Sequence, residues 1–367
     1  MKRILPILIL FLGGCGEEKK VFPVAVQTGL IKRDVLAVSP KLAFNIDGEP
    51  AVVFINQKIA QAEFGILRER EWVVSKIGIS YPVLEIGKAI YTKSGLFVFT
   101  GYTFGKLTVF KKTGGGWISE IVDDIGDTGL NSDIAEDRDG GLNISYVNLT
   151  GLDLVYARLY LGESSTETVD PGYYELVGGG EVFSTTSIAL DKNMIPHISY
   201  YEGFHGVLKH AWLKEDKSGW NIEVVDSIPD RGRFNSIFYS PSCDCLRIAY
   251  YDMNDRNLMF AEKRGSWKIE SVDTSDLNVG KFPVLLEDDN GEPVILYLDV
   301  EDASIRMARR RDGRWKIFQI SQLREDGCPV LISEFDAKIY SEKIGIVISD
   351  VLNREVRYVE EHIEVFQ

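Results

Sequence analysis

The sequence of 367 residues has few side chains of the kinds that bind transition metals, with four cysteines and four histidines. Cys243 and Cys245 lie two residues apart, Cys328 stands alone, and no histidine lies near the pair at zinc-finger spacing. A structural zinc site takes four ligands, which two cysteines cannot supply. The sequence therefore predicts no metal site. For Cys243 and Cys245 it leaves two alternatives, a short disulfide or two free thiols.

Basic residues are also scarce relative to acidic ones. The chain has 41 Lys and Arg against 55 Asp and Glu, for a formal net charge of −14 at pH 7. An acidic surface repels phosphate backbones, which argues against a nucleic-acid partner. No catalytic triad, metal cluster or phosphate-binding loop is recognisable, so we expect no cofactor and favour a role without catalysis.

The apolar run at the start of the chain is short. Residues 4–12 are apolar, and a helix of these nine residues is too short to cross about 30 Å of hydrocarbon. Basic residues precede the run and small residues follow it. This pattern is typical of a secretory signal that is removed from the mature protein.

The residues Leu12-Gly13-Gly14-Cys15 resemble the lipobox of bacterial lipoproteins. The resemblance implies cleavage before Cys15 and lipidation of that cysteine, and the alternative is an ordinary signal with an incidental cysteine. We expect a signal peptide at 1–14, a lipidated tether at 15–22 and a folded body at 23–367. Each CH₂ group of an acyl chain that is buried in a membrane contributes about 0.8 kcal/mol to membrane binding. The membrane is therefore the first expected partner, and the expected location is the cell envelope, on the outer membrane or its periplasmic face.

A repeat of about fifty residues runs through the body of the chain. Its clearest copy spans residues 187–226, and it contains four short β-rich runs separated by turn residues. With Tyr200 as the reference, successive copies are spaced by 46 to 54 residues. The equivalent residues in the other copies are Phe54, Thr100, Tyr146, Tyr250, Tyr297 and Ile348.

Two offsets accompany each reference residue: the residue eleven positions later lies in the predicted third strand, and the residue eleven positions earlier in the first. Fixed offsets with variable spacing predict hairpins of constant length joined by variable loops. A tryptophan opens the predicted fourth strand in most copies, and we expect it to pack between repeats. The seven copies predict one all-β domain, a seven-bladed β-propeller with four antiparallel strands per blade.

The repeats resemble bacterial propeller repeats of the form D-x-x-G-x-P-x-I-x-Y-Y-D, which are grouped with sialidase-like or lectin-like propellers. The resemblance covers residues 23–367 and implies a fold more than a function. Asp- and Gly-containing turns such as residues 137–141 also resemble the Asp-box of sialidases, but the Ser before the Asp and the aromatic residue after the Gly are missing.

Closure of the ring requires a fourth strand for the seventh blade, since an open sheet would expose its edge. Two segments compete for that place, residues 24–28 near the start of the chain and residues 363–366 at its end. The sequence does not decide between them.

Turns between second and third strands share one face with the inter-blade loops, and we call it the upper face; turns between first and second strands lie on the lower face. The residue two positions after each reference opens an upper-face turn, and four of the seven are carboxylates. Asp and Asn here cap turns by bonding backbone groups two residues on. The alternative is a ligand-binding ring that also includes His205, close to Glu202. The candidate binding residues are Asn56, Asn148, Glu202, His205, Asp252, Asp299 and Asp350.

The cysteine pair falls in a lower-face turn of the fifth blade, whereas Cys328 falls in an upper-face loop. Cysteines on opposite faces do not meet the limit of about 7 Å between bonded Cα atoms. A Cys243–Cys245 disulfide is therefore the hypothesis.

Three functions remain. We favour a membrane-anchored binding or scaffold module for a glycan, a peptide or an envelope protein. A sialidase-like glycoside hydrolase or lyase is the second; it would need arginines at the upper channel mouth, where only Arg231 and Arg233 clearly fall. An accessory lipoprotein of an envelope assembly or secretion complex is the third.

Overall fold

The computed structural model describes residues 21–79, 81–172, 185–275, 278–323, 330 and 332–366. The predicted signal peptide, the lipidation site Cys15 and the lone Cys328 lie outside these residues. No helix within the described ranges is long and apolar enough to cross a membrane.

The described residues form a seven-bladed β-propeller, which confirms the predicted fold. In each blade the first strand lies at the axis and the chain then moves outward, each strand antiparallel to the one before it. Blade 1 consists of β3 (Ala37–Phe44), β4 (Pro50–Asn56), β5 (Gln61–Arg68) and β6 (Glu71–Lys76). Blade 2 consists of β7 (Glu85–Tyr91), β8 (Phe97–Tyr102), β9 (Leu107–Thr113) and β10 (Gly116–Asp123). Blade 3 consists of β11 (Thr128–Glu136), β12 (Leu142–Asn148), β13 (Asp153–Tyr160) and β14 (Glu163–Asp170).

The remaining blades repeat the arrangement. Blade 4 consists of β15 (Thr186–Leu190), β16 (Pro196–Glu202), β17 (Val207–Leu213) and β18 (Trp220–Asp226). Blade 5 consists of β19 (Arg231–Ser240), β20 (Cys245–Asp252), β21 (Asn257–Lys263) and β22 (Trp267–Asp273). Blade 6 contains β23 (Val279–Glu287), β24 (Pro293–Asp299), β25 (Ser304–Arg311) and β26 (Arg314–Leu323). Blade 7 contains β27 (Glu334–Tyr340), β28 (Lys343–Asp350) and β29 (Glu355–His362).

The ring is closed by β2 (Gly29–Arg33), which pairs antiparallel with β29 as the fourth strand of blade 7. Neither predicted segment has this role. Residues 24–27 belong to β1 (Val21–Gln27), which runs parallel to β26 as a fifth strand of blade 6. Residues Ile363–Val365 form a 3-10 helix. The segment just after the predicted one closes the ring because Ile31 lies there and packs, buried, against Val356 and Tyr358.

The second strands are buried along almost their whole length, as in β4 and β24. They read as continuous apolar runs because each blade packs both faces against its neighbours. The fourth strands are largely exposed, as in β14. The hydrophobic core therefore consists of clusters between blades, such as the one joining Phe64 of blade 1 to Phe97 and Phe99 of blade 2.

The tryptophans pack between blades as predicted. Each lies on the ring of a third-strand residue of the preceding blade, with centroids 5.1–5.5 Å apart. That neighbour is ten residues after the reference residue of its own repeat. The five pairs are Trp72 with Tyr358, Trp117 with Phe64, Trp220 with Tyr156, Trp267 with His210 and Trp315 with Phe260.

A buried tyrosine joins several neighbouring blades at the level of the second strand. Tyr250 of β20 donates a hydrogen bond of 2.8 Å to Asp226 Oδ2 at the end of β18. Burial raises the pKa of Tyr250, so its hydroxyl stays protonated and remains a donor. The same bond recurs in three pairs, Tyr146–Asp123, Tyr200–Asp170 and Tyr297–Asp273. These tyrosines are four of the seven reference residues.

The two predicted offsets have different outcomes. The residue eleven after the reference pairs with the residue two before it in all seven blades, as Ala211 pairs with Ile198. The residue eleven before the reference pairs with the residue three before it, but only in blades 1, 3, 4 and 6. Its partner differs in blades 2, 5 and 7, because the first-to-second hairpins there have another register.

Candidate functional site

The predicted upper-face ring consists of the last residues of the second strands. Each of these residues ends its strand in its own blade, and four residues separate it from the first residue of the third strand. The seven are Asn56, Tyr102, Asn148, Glu202, Asp252, Asp299 and Asp350.

Six of these seven side chains bond to the backbone of their own turn. Asp252 Oδ1 accepts the N–H of Asn254 at 2.9 Å, and Glu202 Oε1 accepts the N–H of Phe204 at 3.1 Å. Asn56, Asn148, Asp299 and Asp350 accept equivalent bonds. Asp252, Asp299 and Asp350 have no exposed surface. The structure therefore uses these side chains as turn caps, and their predicted role in binding a ligand stays a prediction.

Arginines neutralise two of the buried carboxylates. Arg231 Nε lies 2.6 Å from Asp252 Oδ2, and Arg306 lies 2.8 Å from Asp299 Oδ2 and 2.9 Å from Asp273 Oδ2. Burial raises the pKa of Asp299, and the Arg306 charge opposes that shift. Such pairs leave little free charge at the upper face.

The two arginines expected at the channel mouth are both engaged. Arg231 pairs with Asp252, and Arg233 donates to Asp230 at 3.3 Å and to the Tyr201 hydroxyl at 3.4 Å. No arginine lines the axial channel in the part of the chain that the structure describes. The arginine cluster required by a sialidase-like site is therefore not found among these residues.

His205 contacts Glu202, as expected from the sequence. Its Nδ1 lies 2.9 Å from Glu202 Oε2, and the ring is 67% exposed. The neighbouring Phe204 is also exposed and contacts the imidazole edge to face, with centroids 4.9 Å apart. This turn offers one aromatic and one ionisable group to a partner.

Exposed apolar side chains lie on the upper face. They belong to the second-to-third turns of six blades and to the inter-blade loops after blades 2 and 4, with exposures of 37–78%. We call these residues the apolar crown: Ile59, Phe104, Ile125, Phe204, Ile228, Met253, Val300 and Leu352. Those in the second-to-third turns lie within three residues of the end of a second strand.

The first strands of all seven blades line an axial channel of about 560 Å³. Five of these strands contain β-bulges where the register to the second strand shifts. Ser39, Asn131, Phe234 and Phe282 lie in four of the bulges with left-handed φ angles of 50–52°. Bulges bend a strand and redirect side chains. Here they direct side chains toward the axis.

The bulges have a sequence signal that the repeat analysis missed. A glycine stands two residues before the left-handed residue in three blades, at Gly129, Gly232 and Gly280. Each has φ above 100°, and a Cβ there would lie 2.7–2.9 Å from the Cα of a leucine that is the first or second residue of the third strand of the preceding blade. Only glycine fits such an approach. The recurring pattern Gly-x-Asn/Phe therefore marks the channel wall.

Acidic side chains in the channel bond to backbone N–H groups of the next blade. Glu334 accepts the N–H of Ser39, and Asp336 Oδ2 accepts the N–H of Leu42 at 2.9 Å. Glu85 Oε1 accepts the N–H of Asn131 at 2.7 Å, and Asp133 Oδ2 accepts the N–H of Ile188 at 3.0 Å. Burial raises the pKa of Glu85. These carboxylates connect the inner strands of neighbouring blades.

Three lysines share the same side of the channel. Lys88 Nζ lies 2.7 Å from Asp133, and Lys338 Nζ lies 3.2 Å from Asp336. Burial lowers the pKa of Lys338. Lys41 forms no ion pair within the described residues, although its charge lowers the pKa of Asp336. The charged side of the channel comprises blades 7, 1, 2 and 3.

The opposite side of the channel is aromatic. Phe234 of β19 and Phe282 of β23 contact each other with ring centroids 4.4 Å apart, and Phe282 is 45% exposed. Phe238 and Pro283 continue this wall. The channel is thus amphipathic, with ammonium groups facing aromatic rings.

The lower-face turns follow the predicted turn chemistry. Asp137 Oδ1 accepts the N–H groups of Asp139 and Gly141 at 3.0 and 2.8 Å, and Asp288 accepts equivalent bonds. Cys243 and Cys245 are joined by a disulfide in the β19–β20 turn. Both sulfurs lie near Glu262, but the disulfide occupies the thiols and Arg247 donates to the carboxylate at 3.0 Å. This group does not fit a metal site.

Comparisons with known proteins identify similar folds but no family. No protein-family model matches the chain, and no curated protein matches its sequence. A catalytically inactive virginiamycin B lyase from Staphylococcus aureus, described with quinupristin, is 11% identical with a TM-score of 0.60, over 91% of this chain and 98% of that one. An ulvan lyase described with a GlcA(1-4)Rha3S ligand is 9% identical with a TM-score of 0.60, over 92% and 99%.

A third solved structure, of YCF48 bound to a D1 peptide, is 11% identical with a TM-score of 0.55, over 91% of this chain and 94% of that one. At such identities the similarity shows the propeller fold alone. Lyases and a peptide-bound propeller share this fold, so function has to be argued from the chain's own surfaces.

Proposed function

We propose that this protein is a non-catalytic scaffold of the cell envelope that binds a partner polypeptide on its upper face. The observation that supports the proposal is the apolar crown. Exposed apolar groups clustered on one face of a soluble fold are typical of protein-binding surfaces. Most crown residues lie in turns that open with a capping Asn, Asp or Glu side chain.

The net charge of the chain indicates what the partner carries. The exposed upper-face carboxylates Asp34, Asp230, Asp255 and Glu301 each lie 3.3–3.9 Å from a Lys or Arg side chain, so the local charge is largely balanced and the overall field comes from the whole chain. The whole chain has a formal net charge of −14. A partner segment with basic and apolar side chains would be attracted by this field and would bury the crown. The solved structure of YCF48 bound to a D1 peptide, a propeller with a polypeptide ligand, supports the proposal of a polypeptide partner.

Lipidation of Cys15 is part of the same proposal. The strand β1 begins at Val21, within the predicted tether, and runs parallel to β26, which leads from the lower face toward the upper one. A short tether ending at Val21 would hold the lower side of blade 6 toward the membrane and leave the crown accessible. Cys15→Ser is expected to release the protein from the membrane fraction. Membrane retention of that variant would contradict the anchor without affecting the docking surface.

The docking surface is tested with matched substitutions on the two faces. Phe104→Asp and Leu352→Asp place charges in the crown, whereas Ile46→Asp and Leu161→Asp alter lower-face turns that are equally or more exposed. After crosslinking in intact cells, we expect the crown variants to lose a defined envelope partner that the wild type and both lower-face variants retain. A partner retained by the crown variants, or lost equally from all four, would overturn the proposal.

A further inference from the structure

We infer that the axial channel is a second binding site, for a small oxyanion attached to an apolar or ring-shaped body, with the anionic group at Lys41 and the body against Phe282. This site is separate from the apolar crown. The inference follows from a mismatch between donors and acceptors on the charged side of the channel and from the apolar surface on the other side.

The acidic groups of the channel already have donors. Glu85, Asp133, Glu334 and Asp336 each accept at least one backbone N–H group of a neighbouring inner strand. Asp133 also accepts the Ser187 hydroxyl at 2.7 Å and pairs with Lys88. Each of these carboxylates therefore already accepts fixed donors of the protein.

The ammonium groups have donors to spare. An ammonium carries three N–H donors, but Lys88 and Lys338 each have one carboxylate partner among the described residues. Lys41 has none there, although its charge acts on both Glu85 and Asp336. The amide Nδ2 of Asn131 is buried in the same wall with no acceptor in the described part of the chain. Donors with no acceptor, or with one carboxylate partner, among the described residues therefore belong to the same side of the channel lining.

The bulged strands give the channel a fixed, strained wall. Ser39, Asn131, Phe234 and Phe282 adopt a left-handed backbone conformation that is uncommon for residues other than glycine, and least so for Asn. The strain is repeated at the channel and sets the position of both Asn131 and Phe282. Strain of this kind is typical of sites whose geometry is maintained for a ligand.

The opposite wall determines the rest of the ligand. Phe282 exposes nearly half of its surface to the channel region and contacts Phe234. An aromatic or sugar ring, or an aliphatic chain, would cover these rings. The volume of about 560 Å³ is in the usual range for a site that encloses a small molecule. A carboxylate, a sulfate and a phosphate share the required chemistry.

The experiment uses simple probes of that chemistry with the full-length folded protein. Titration calorimetry compares 3-phenylpropionate, phenyl sulfate and phenyl phosphate with the uncharged 3-phenylpropanol and with acetate. We expect at least one of the three aromatic anions to bind, and both controls to bind at least tenfold more weakly, as expected for loss of one charge-assisted contact or of one ring contact. The anion that binds most tightly identifies the head group.

Variants assign the site. Lys41→Met keeps the length of the side chain and removes its charge, and Phe282→Ala removes the ring. We expect each to weaken binding of the aromatic anion by about tenfold or more. Lys268→Met, on the exposed strand β22, is the matched control and should bind like the wild type. Thermal unfolding of each variant checks that the fold is retained.

Three results would overturn the inference: no binding of any aromatic anion, equal binding of the uncharged alcohol, or unchanged binding by Lys41→Met and Phe282→Ala. The crown variants Phe104→Asp and Leu352→Asp are expected to bind the anion normally. Failure of the docking proposal and failure of the channel inference are therefore distinguishable.

Discussion

The interface of blade 7 with blade 1 and the interface of blade 4 with blade 5 use the same backbone contact with different chemistry. At the first, Asp336 Oδ2 accepts the N–H of Leu42 at 2.9 Å. At the second, Ser187 Oγ accepts the N–H of Ile237 at 3.2 Å. The equivalent contacts use Asp133 between blades 3 and 4, and Ser236 between blades 5 and 6.

The two interfaces also differ away from the axis. Between blades 7 and 1 the reference residue is Phe54, Trp72 packs on Tyr358, and Lys32 pairs with Glu63 at 2.6 Å. Between blades 4 and 5 the reference residue is Tyr250, bonded to Asp226, and Trp267 packs on His210. Both interfaces therefore have charge toward the rim, but only the blade 7–1 interface has a carboxylate in the contact near the axis. The fold therefore fixes where a polar contact is needed, and the chemistry of the contact varies.

The largest expected effect is the loss of the carboxylate at the closing interface. Asp336→Ala leaves Lys338 without its partner and the N–H of Leu42 without its acceptor. We expect the free energy of unfolding to fall by about 3 kcal/mol, because the N–H of Leu42 loses a charged acceptor and Lys338, 22% exposed, loses its ion-pair partner. Chemical denaturation measures it. Asp336→Asn, which keeps an acceptor but removes the charge, should lose less; equal losses would show that Asp336 acts through its charge and not as a neutral acceptor.

The second prediction separates the two interfaces by pH. Burial lowers the pKa of His210 to about 4, while His197, Glu223 and Lys263 surround it. An unfolded histidine binds a proton below about pH 6.5, so stability present above that pH is lost as the pH falls toward the native value. The pKa of Asp336 is lowered below 3.8, because the charges of Lys338 and Lys41 outweigh the effect of burial. Its contribution is lost only in stronger acid.

The blade 4–5 interface should therefore weaken by up to roughly 3 kcal/mol between pH 6.5 and pH 4, before the blade 7–1 interface changes. Unfolding free energies measured across this range test the expectation. His210→Phe places there the residue found at the equivalent Phe64 and Phe260. That variant should lose most of the pH dependence; an unchanged slope would assign it to other groups.

The third prediction makes the blade 4–5 interface more like the other. Tyr250→Phe removes the hydroxyl bonded to Asp226 and leaves the phenylalanine that blade 1 has at Phe54. We expect a loss of about 2 kcal/mol, because a buried carboxylate loses a donor. Tyr297→Phe at the next interface is the matched comparison. Losses below about 0.5 kcal/mol in both would mean that the bonds are replaced by water.

The smallest expected effect is at the serine. Ser187→Ala removes the acceptor for the N–H of Ile237 and one donor to Asp133, which keeps Lys88 and the N–H of Ile188. We expect a loss of about 1 kcal/mol, the net value of a neutral hydrogen bond. Denaturation under the conditions used for Asp336→Ala measures it. A loss as large as that of Asp336→Ala would remove the distinction between the interfaces.

The parts of the fold that the sequence predicted are those fixed by local chemistry. The second-to-third turn has four residues in every blade and usually begins with a capping Asp, Asn or Glu, so its offset could be counted along the chain. First-to-second turns have no common length that could be counted in the same way. Residues 241–244 form a four-residue connection with the disulfide, whereas residues 341–342 form a two-residue one.

The parts that the sequence did not predict depend on distant contacts. Residues 24–28 and 29–33 both look like strands, and the choice between them is made by pairing with β29, more than 300 residues later. The channel likewise arises where seven inner strands meet. Its wall follows the Gly-x-Asn/Phe pattern, which has meaning only once Gly129, Gly232 and Gly280 are known to touch the preceding blade.

The parallel pairing of β1 with β26 has a mechanical consequence. Seven consecutive residue pairs, from Val21–Ile317 to Gln27–Leu323, connect the two strands. Tension on the chain ahead of Val21, directed back along β1, loads this ladder in shear, so that its hydrogen bonds resist together and do not open one after another. The ring-closing strand β2 follows β1 directly. A pull on the leading segment is therefore resisted by the β1–β26 pair before it reaches β2 and its pairing with β29.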